Sequence, residues 1–319
     1  MGKLKILDYD VGCGGFSKGF FDTKKFEVVN NLLINDNNKF TYENLYPNID
    51  FSQKDRDADL FCFTPDVGHS FSRRGAKNFD FSPIQNMCEY IVKNNLQNVF
   101  INLPNDAYPL YQDRHYFAYD SNGNPSRDYI ICFFKKNGYN ARHYVFDGAE
   151  FGTPQHRFLN LYWISADIDE DISISGQYGI YKKPYKNVGF WLEDITDDSQ
   201  LSWHNPDYKK KEECSLVKPG QNAKTTDSLN KNKGYYRLNK DKFSKSLDKI
   251  FYLVTSTGPC IHPYYDRPIT IREGARLFGL GDEFTWNSKM SKKKVALMIY
   301  ESFTPLVSNI IAQKLYKLM

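Results

Sequence analysis

The chain carries no paired-cysteine motif. Its six cysteines, Cys13, Cys62, Cys88, Cys132, Cys214 and Cys260, are scattered without a C-x-x-C. Neither a zinc signature nor a disulfide framework follows, and a reducing, cytoplasmic interior is expected. No apolar run approaches the roughly 20 residues a membrane span needs. The N-terminal MGKLKILDYD runs straight into a strand pattern, so no signal peptide is expected either. Neither an internal repeat nor a long low-complexity tract breaks the 319 residues, a length that accommodates one large domain and a smaller one. Net charge is sparse too: +4 is too little over this length to argue for nucleic acid unaided. Tyr (23) and Phe (24) are abundant beside much Asn and Lys, the bias an AT-rich coding sequence produces, and carry no functional weight.

What is there alternates. Residues 5–9 read as a short buried strand, followed by Gly12-Cys13-Gly14-Gly15 and a helix from Phe16. Strand, glycine-rich turn and helix bring bare backbone to a nucleotide-like ligand in Rossmann-like domains, although the same spelling also serves a purely structural turn. Further strands are predicted over 26–34, 58–63, 99–103, 139–147 and 158–165, with helices over 41–47, 83–94 and 129–137. This alternation implies an α/β fold with a mostly parallel, doubly wound sheet. Beyond about residue 167 the chain turns polar and lysine-rich without a clean period, and helix patterns return from Thr270 and on either side of Pro305. The expected organisation is a large domain over 1–188, a smaller one over 189–268, and a hinge and C-terminal helix over 269–319 that return to the large domain.

Several segments, in order, resemble the cytosine-5 DNA methyltransferase family. They are DYDVGCGGFSKGF at 8–20, TYENLYP at 41–47, and the P-D-x-x-H-x-x-x-R-x-G spacing from Pro65 to Gly75. INLPND at 101–106 stands at the family's Glu-Asn-Val, and FGTPQHR at 151–157 is similar to its Tyr-Gly-x-Pro-Gln-x-Arg. His262-Pro263 and RPITIREGARL at 267–277 fit R-x-L-T-x-R-E-x-A-R-L, and FTPLVSNIIA at 303–312 occupies the final helix. The resemblance implies a Rossmann-like S-adenosylmethionine-dependent methyltransferase fold with a small target-recognition-like domain. It also implies a cysteine thiolate that attacks carbon 6 of an extruded cytosine.

The departures fall on the chemistry. Where the family has its nucleophile this chain has Val67, if aligned on Pro-Asp-Cys, or Gly68, if aligned on the Phe-Ser that follows. Neither forms a thiolate. Cys62, five residues before Val67, reads as a small buried hydrophobe within the preceding strand. The family's cytosine-protonating glutamate falls at Pro104. Asp106 is a second candidate acid or an ordinary loop residue, and the family's second arginine is Leu159.

On the cofactor side, the adenine-stacking aromatic corresponds to Asp10 and the ribose-binding glutamate to Leu33, with Asn35 or Asp36 as partial replacements. The final Gly-Asn is Glu301-Ser302. Gly12, Gly14, Gly15, Asp36 and Asp55 remain as vestigial cofactor positions. Loss of the stack and of the hydroxyl acceptor each removes roughly 1–3 kcal/mol, so no cofactor, or only weakly bound S-adenosylmethionine, is expected. Four separate losses fit natural degeneration better than an engineered knockout.

Nucleic-acid contacts implied by the resemblance are Arg73, Arg74, Gln155, Arg157, Arg272 and the run Lys209-Lys210-Lys211, with Tyr208, Tyr235 and Tyr236 interleaved. A solvated lysine-rich surface and, for Arg157, an ordinary surface ion pair remain open alternatives. The expectation is a catalytically inactive homologue that binds duplex DNA as a structural or regulatory subunit beside a protein partner. The alternatives are an active enzyme with a displaced nucleophile and a protein-interaction scaffold without DNA.

Overall fold

The computed structural model describes the whole chain except residues 1, 11, 33–35, 47, 52–56, 66–81, 104–125, 180, 196–213, 221–235 and 242–259. The alternating patterns resolve into β1 (Leu4–Asp10), α1 (Gly15–Asp22), β2 (Phe26–Asn31), α2 (Asp36–Leu45), β3 (Leu60–Thr64), α3 (Ser82–Lys93), β4 (Asn98–Leu103), α4 (Ser126–Lys136), β5 (Asn140–Asp147) and β6 (Phe158–Ser165). After them come α5 (Val188–Leu192), β7 (Tyr236–Arg237), β8 (Cys260–Ile261), α6 (Ile271–Leu277), α7 (Lys292–Glu301) and α8 (Pro305–Leu315). Two compact units result. The first comprises 1–146, 158–174 and 301–319; the second comprises 147–157 and 175–300. Among the described residues no helix is long and apolar enough to cross a membrane.

The first unit is built on a six-stranded sheet in the order β2-β1-β3-β4-β6-β5. The ladders β1–β2, β1–β3 and β3–β4 are parallel, and β6 runs antiparallel to β4. The fold is therefore α/β with a mostly parallel sheet, as the alternation implied. Strand β3, spelled LFCFT, is buried at every position, as an unbroken apolar run is when both faces of a sheet are covered. Alternate residues serve opposite faces. Leu7, Tyr9, Phe61, Phe63, Val99, Ile101, Tyr162 and Ile164 join one core with Ile84, Cys88 and Ile91 of α3 and Ile130 and Phe134 of α4. The intervening residues meet α1 and the segment before α8: Phe16 packs on Phe100 and Phe303, and Phe100 on Trp163.

Helix α1 lies against α8 with no side chain between them at Gly19. A Cβ there would stand 2.1 Å from Ser308 Oγ and 2.5 Å from the Pro305 carbonyl oxygen, and Asn309 Nδ2 donates to Gly19 O at 2.9 Å. Alanine normally favours a helix interior over glycine by about 1 kcal/mol. Here two backbones would have to separate, so Gly19→Ala is expected to lower stability by a net 1–3 kcal/mol or so. A chemical-denaturation midpoint that is unchanged or raised would contradict this packing.

In the second unit, Arg237 gathers a lysine-rich, aperiodic part of the chain. Its buried guanidinium donates to the carbonyls of Cys214 (2.6 Å) and Val217 (2.5 Å), reaches those of His262 and Tyr265 at 3.3 and 3.4 Å, and pairs with Asp266. Beside it, β7 and β8 form a two-stranded parallel ladder.

Candidate functional site

In the parallel part of the sheet, β1 leads to β2 on one side while β3 leads to β4 on the other. The connections therefore diverge between β1 and β3, the switch point whose carboxyl-end crevice receives ligands in open α/β sheets. Asp10 is registered against Thr64, and Phe63 against Ile101. The three segments leaving β1, β3 and β4 consequently depart from one edge of the sheet. They begin with the glycine turn, with Pro65 and with Pro104.

The turn is held tightly from below. Asp8, a buried carboxylate in β1, accepts from Ser17 Oγ at 2.6 Å and Tyr42 Oη at 3.1 Å. Gly14 caps α1 at φ 80°, and a Cβ on it would meet the Tyr42 ring at 3.1 Å; left-handed backbone and crowding together require glycine there. Tyr46 Oη donates to Gly14 O at 3.0 Å. Ser302, in the sequence position of the family's asparagine, accepts from the Cys13 N–H at 3.3 Å and lies 2.6 Å from Cys13 Sγ. A backbone donor of the turn is thus engaged by the protein's own hydroxyl. The turn retains close backbone access. Asp36 opens α2; Leu33, Asn35 and Asp55 lie outside the described residues.

In the second unit, FGTPQHR forms a capped turn. Asp147 Oδ1 accepts from Ala149 N and Arg157 N, at 3.1 and 3.0 Å, while its other oxygen pairs with His156 Nδ1. Gln155 is fully buried and donates from Nε2 to Leu277 O at 2.7 Å. Arg157 is buried as well, its guanidinium 4.3 Å from the Phe278 ring centroid, so it is not the surface ion pair that was the open alternative. Arg272 packs 5.2 Å from the Trp286 ring, donates to Gly281 O at 3.1 Å and lies 3.8 Å from Asp282. Burial pulls its pKa below the usual guanidinium value.

RPITIREGARL is also explained by packing. Thr270 caps α6 in a reciprocal capping box with Glu273. Arg267 grips the buried Glu273 carboxylate with two bonds, 2.9 and 2.8 Å long. His262 Nδ1 accepts from the Tyr264 and Tyr265 N–H groups, at 3.1 and 3.3 Å. Its ring proton is therefore on Nε2, 3.5 Å from Glu273 Oε1. The Thr270-x-x-Glu273 spacing was the readable signal for this cluster. Arg237 left none, because its partners are mostly backbone carbonyls.

The family model for C-5 cytosine-specific DNA methylases matches residues 120–317. The chain belongs to that family. Solved methyltransferase structures share its fold over 99% of both chains. They include an E. coli prophage-encoded protein described as a DNA modification methyltransferase (17% identity, TM-score 0.69), S. pombe Dnmt2 (17%, 0.63) and Entamoeba histolytica EhMeth (9%, 0.60). No curated protein sequence matches the chain.

For a C-5 methylase the distribution of thiols matters most. Cys62 lies within β3, registered against Asp8 and Phe100 and 5% exposed. Cys13, Cys88, Cys214 and Cys260 are buried too, and the exposed Cys132 stands on α4. Burial, with Glu89 beside it, pushes the Cys88 thiol far up, which removes thiolate character. Val67, Gly68, Arg73, Arg74, Pro104, Asp106 and Lys209–Lys211 lie outside the described residues.

Proposed function

We propose that this C-5 methylase family member binds duplex DNA without transferring methyl groups, as a structural or regulatory component that works with a protein partner. The observation that carries this reading is the segment Pro65-Asp66-Val67-Gly68, which leaves β3 at the ligand-binding edge of the sheet without a thiol. The one cysteine in β3, Cys62, is enclosed in the strand and does not replace it. Pro104, after β4, offers no acid for cytosine nitrogen 3. S-adenosylmethionine, the cofactor implied by the fold, binds weakly in this reading, because the backbone approach survives while the stacking and ribose groups do not.

The residues retained from the family support the same division. Gln155, Arg157, Arg267 and Glu273 are consumed by packing within the second unit, whereas the departures fall where chemistry would occur. Arg73, Arg74 and Lys209–Lys211 are the proposed phosphate contacts; Gln155, Arg157 and Arg272 contribute rigidity more than charge. Five phosphate contacts imply that duplex affinity falls roughly 10²- to 10³-fold between 50 and 200 mM salt. A fluorescence-anisotropy titration of duplex DNA at both salt concentrations measures this. Failure to bind duplex DNA at low salt, or a salt-independent affinity, removes the reading.

A further inference from the structure

Residues 176–192, GQYGIYKKPYKNVGFWL, contain five aromatic residues, three lysines and no carboxylate. They lie between the FGTPQHR and RPITIREGARL motifs. Asn187 Oδ1 caps the short helix α5 by accepting from Phe190 N at 2.9 Å, which turns Phe190 outward at 51% exposure. Lys186 Nζ sits 3.9 Å from the Phe190 ring centroid and 5.6 Å from that of Trp191. The chain beside them continues the surface. Gly189 N donates to Lys240 O at 2.9 Å, and a Cβ on Gly189 would lie 3.0 Å from Tyr264 Oη. Tyr264 is 42% exposed with Lys240 Nζ 6.0 Å from its ring, and Tyr181 is 99% exposed.

Exposed aromatic rings gathered on one surface with lysines beside them mark an interaction site. Among the described residues neither Lys186 nor Lys240 has a carboxylate within ion-pair distance. Burial, with Glu193 and Asp241 beside it, holds the Tyr264 hydroxyl pKa up; at the other end of the segment Asp147 and Glu150 act in the same way on Tyr185. A polyanion with flat faces suits the remainder: phosphates meet the lysines while unstacked bases lie on the rings. A closed duplex keeps its bases stacked inside and offers only phosphates.

From this arrangement we infer that the Lys186–Phe190–Tyr264 surface binds a nucleic-acid strand with unpaired bases, single or locally opened. The inference rests on the reading of the chain as a DNA-binding protein and adds to it a second, strand-selective surface. The test uses the full chain with a short labelled mixed-sequence single strand and, in parallel, the matching duplex, both followed by anisotropy. Phe190→Ala and Lys186→Ala should each weaken single-strand binding about five- to fiftyfold, while Phe190→Tyr preserves it. Lys186→Ala should also lower the salt slope by about 0.7, and the strand should quench Trp191 fluorescence. If the parent binds duplex and the alanine variants bind the single strand unchanged, this surface is wrong and the DNA-binding reading stands. If the parent binds neither, both fall. Equal displacement of the strand by a polyglutamate peptide would assign the patch to an acidic protein and overturn the inference.

Discussion

The full 319-residue chain incubated with labelled S-adenosylmethionine and mixed-sequence duplex should incorporate no methyl label above a protein-free control. Restoring a thiol by Val67→Cys or Gly68→Cys should leave that result unchanged. Carbon 5 of cytosine is a poor nucleophile until a thiolate adds at carbon 6, and neither valine nor glycine can supply that addition. A restored thiol still faces Pro104, where an acid at nitrogen 3 would contribute a factor of about 10² to 10⁴. On the proposed reading it also faces a cofactor site without the stack and the ribose acceptor, a loss of about a hundredfold in affinity. Taking the lower bound of the first with the second, a single thiol variant remains about 10⁴-fold short. Only a combination such as Val67→Cys with Pro104→Glu and an aromatic at position 10 should raise label above background. The opposite outcome is equally specific: incorporation by the unaltered chain that disappears in Cys62→Ala would establish a displaced nucleophile. That would require β3 to open, since Cys62 is enclosed on the sheet.

The residues that set this expectation were legible for different reasons. Strand β6 could be read from FLNLYWIS alone and begins and ends as expected, because a bounded run of aromatic and β-branched residues is a strand signal. Its antiparallel direction beside β4 was not legible, since residue period carries no information on the sense of a distant pairing. Helix α2 starts at Asp36, earlier than the pattern at 41–47 suggests. Asp and Asn are poor helix-interior residues that conceal a first turn, whereas the end near Leu45 follows from Pro47. At the site, the glycine turn was readable but its support was not: Tyr42 reaches Asp8 across 34 residues. The aromatic surface around Phe190 was hidden within a compositional bias that had seemed uninformative. Its meaning comes from exposure, which composition does not encode.

Breaking the Arg267–Glu273 pair should produce the largest loss of stability of any single change in α6. Glu273 is wholly buried and Arg267 nearly so. The carboxylate accepts two guanidinium bonds and the Thr270 N–H at 2.7 Å, with His262 Nε2 at 3.5 Å. Arg267→Met leaves a buried carboxylate with too few donors. Glu273→Gln sets an amide N–H₂ against donors and leaves the guanidinium uncompensated. Each should cost roughly 3–5 kcal/mol, read as early unfolding in a denaturant series and as faster hydrogen exchange across α6. Exchange is the cleaner probe, because a chain of two compact units need not unfold in one step. The double variant Arg267→Met/Glu273→Gln removes both charges together, so its loss should fall short of the sum by about 1–3 kcal/mol. Single variants within 1 kcal/mol of the parent, or strict additivity, would show that the pair does not hold this segment. Otherwise the spelling R-x-x-T-x-x-E persists here for a reason that catalysis does not supply. It closes a buried ion pair over a capped helix, which gives these residues a structural reason of their own, whatever stands at residues 67–68.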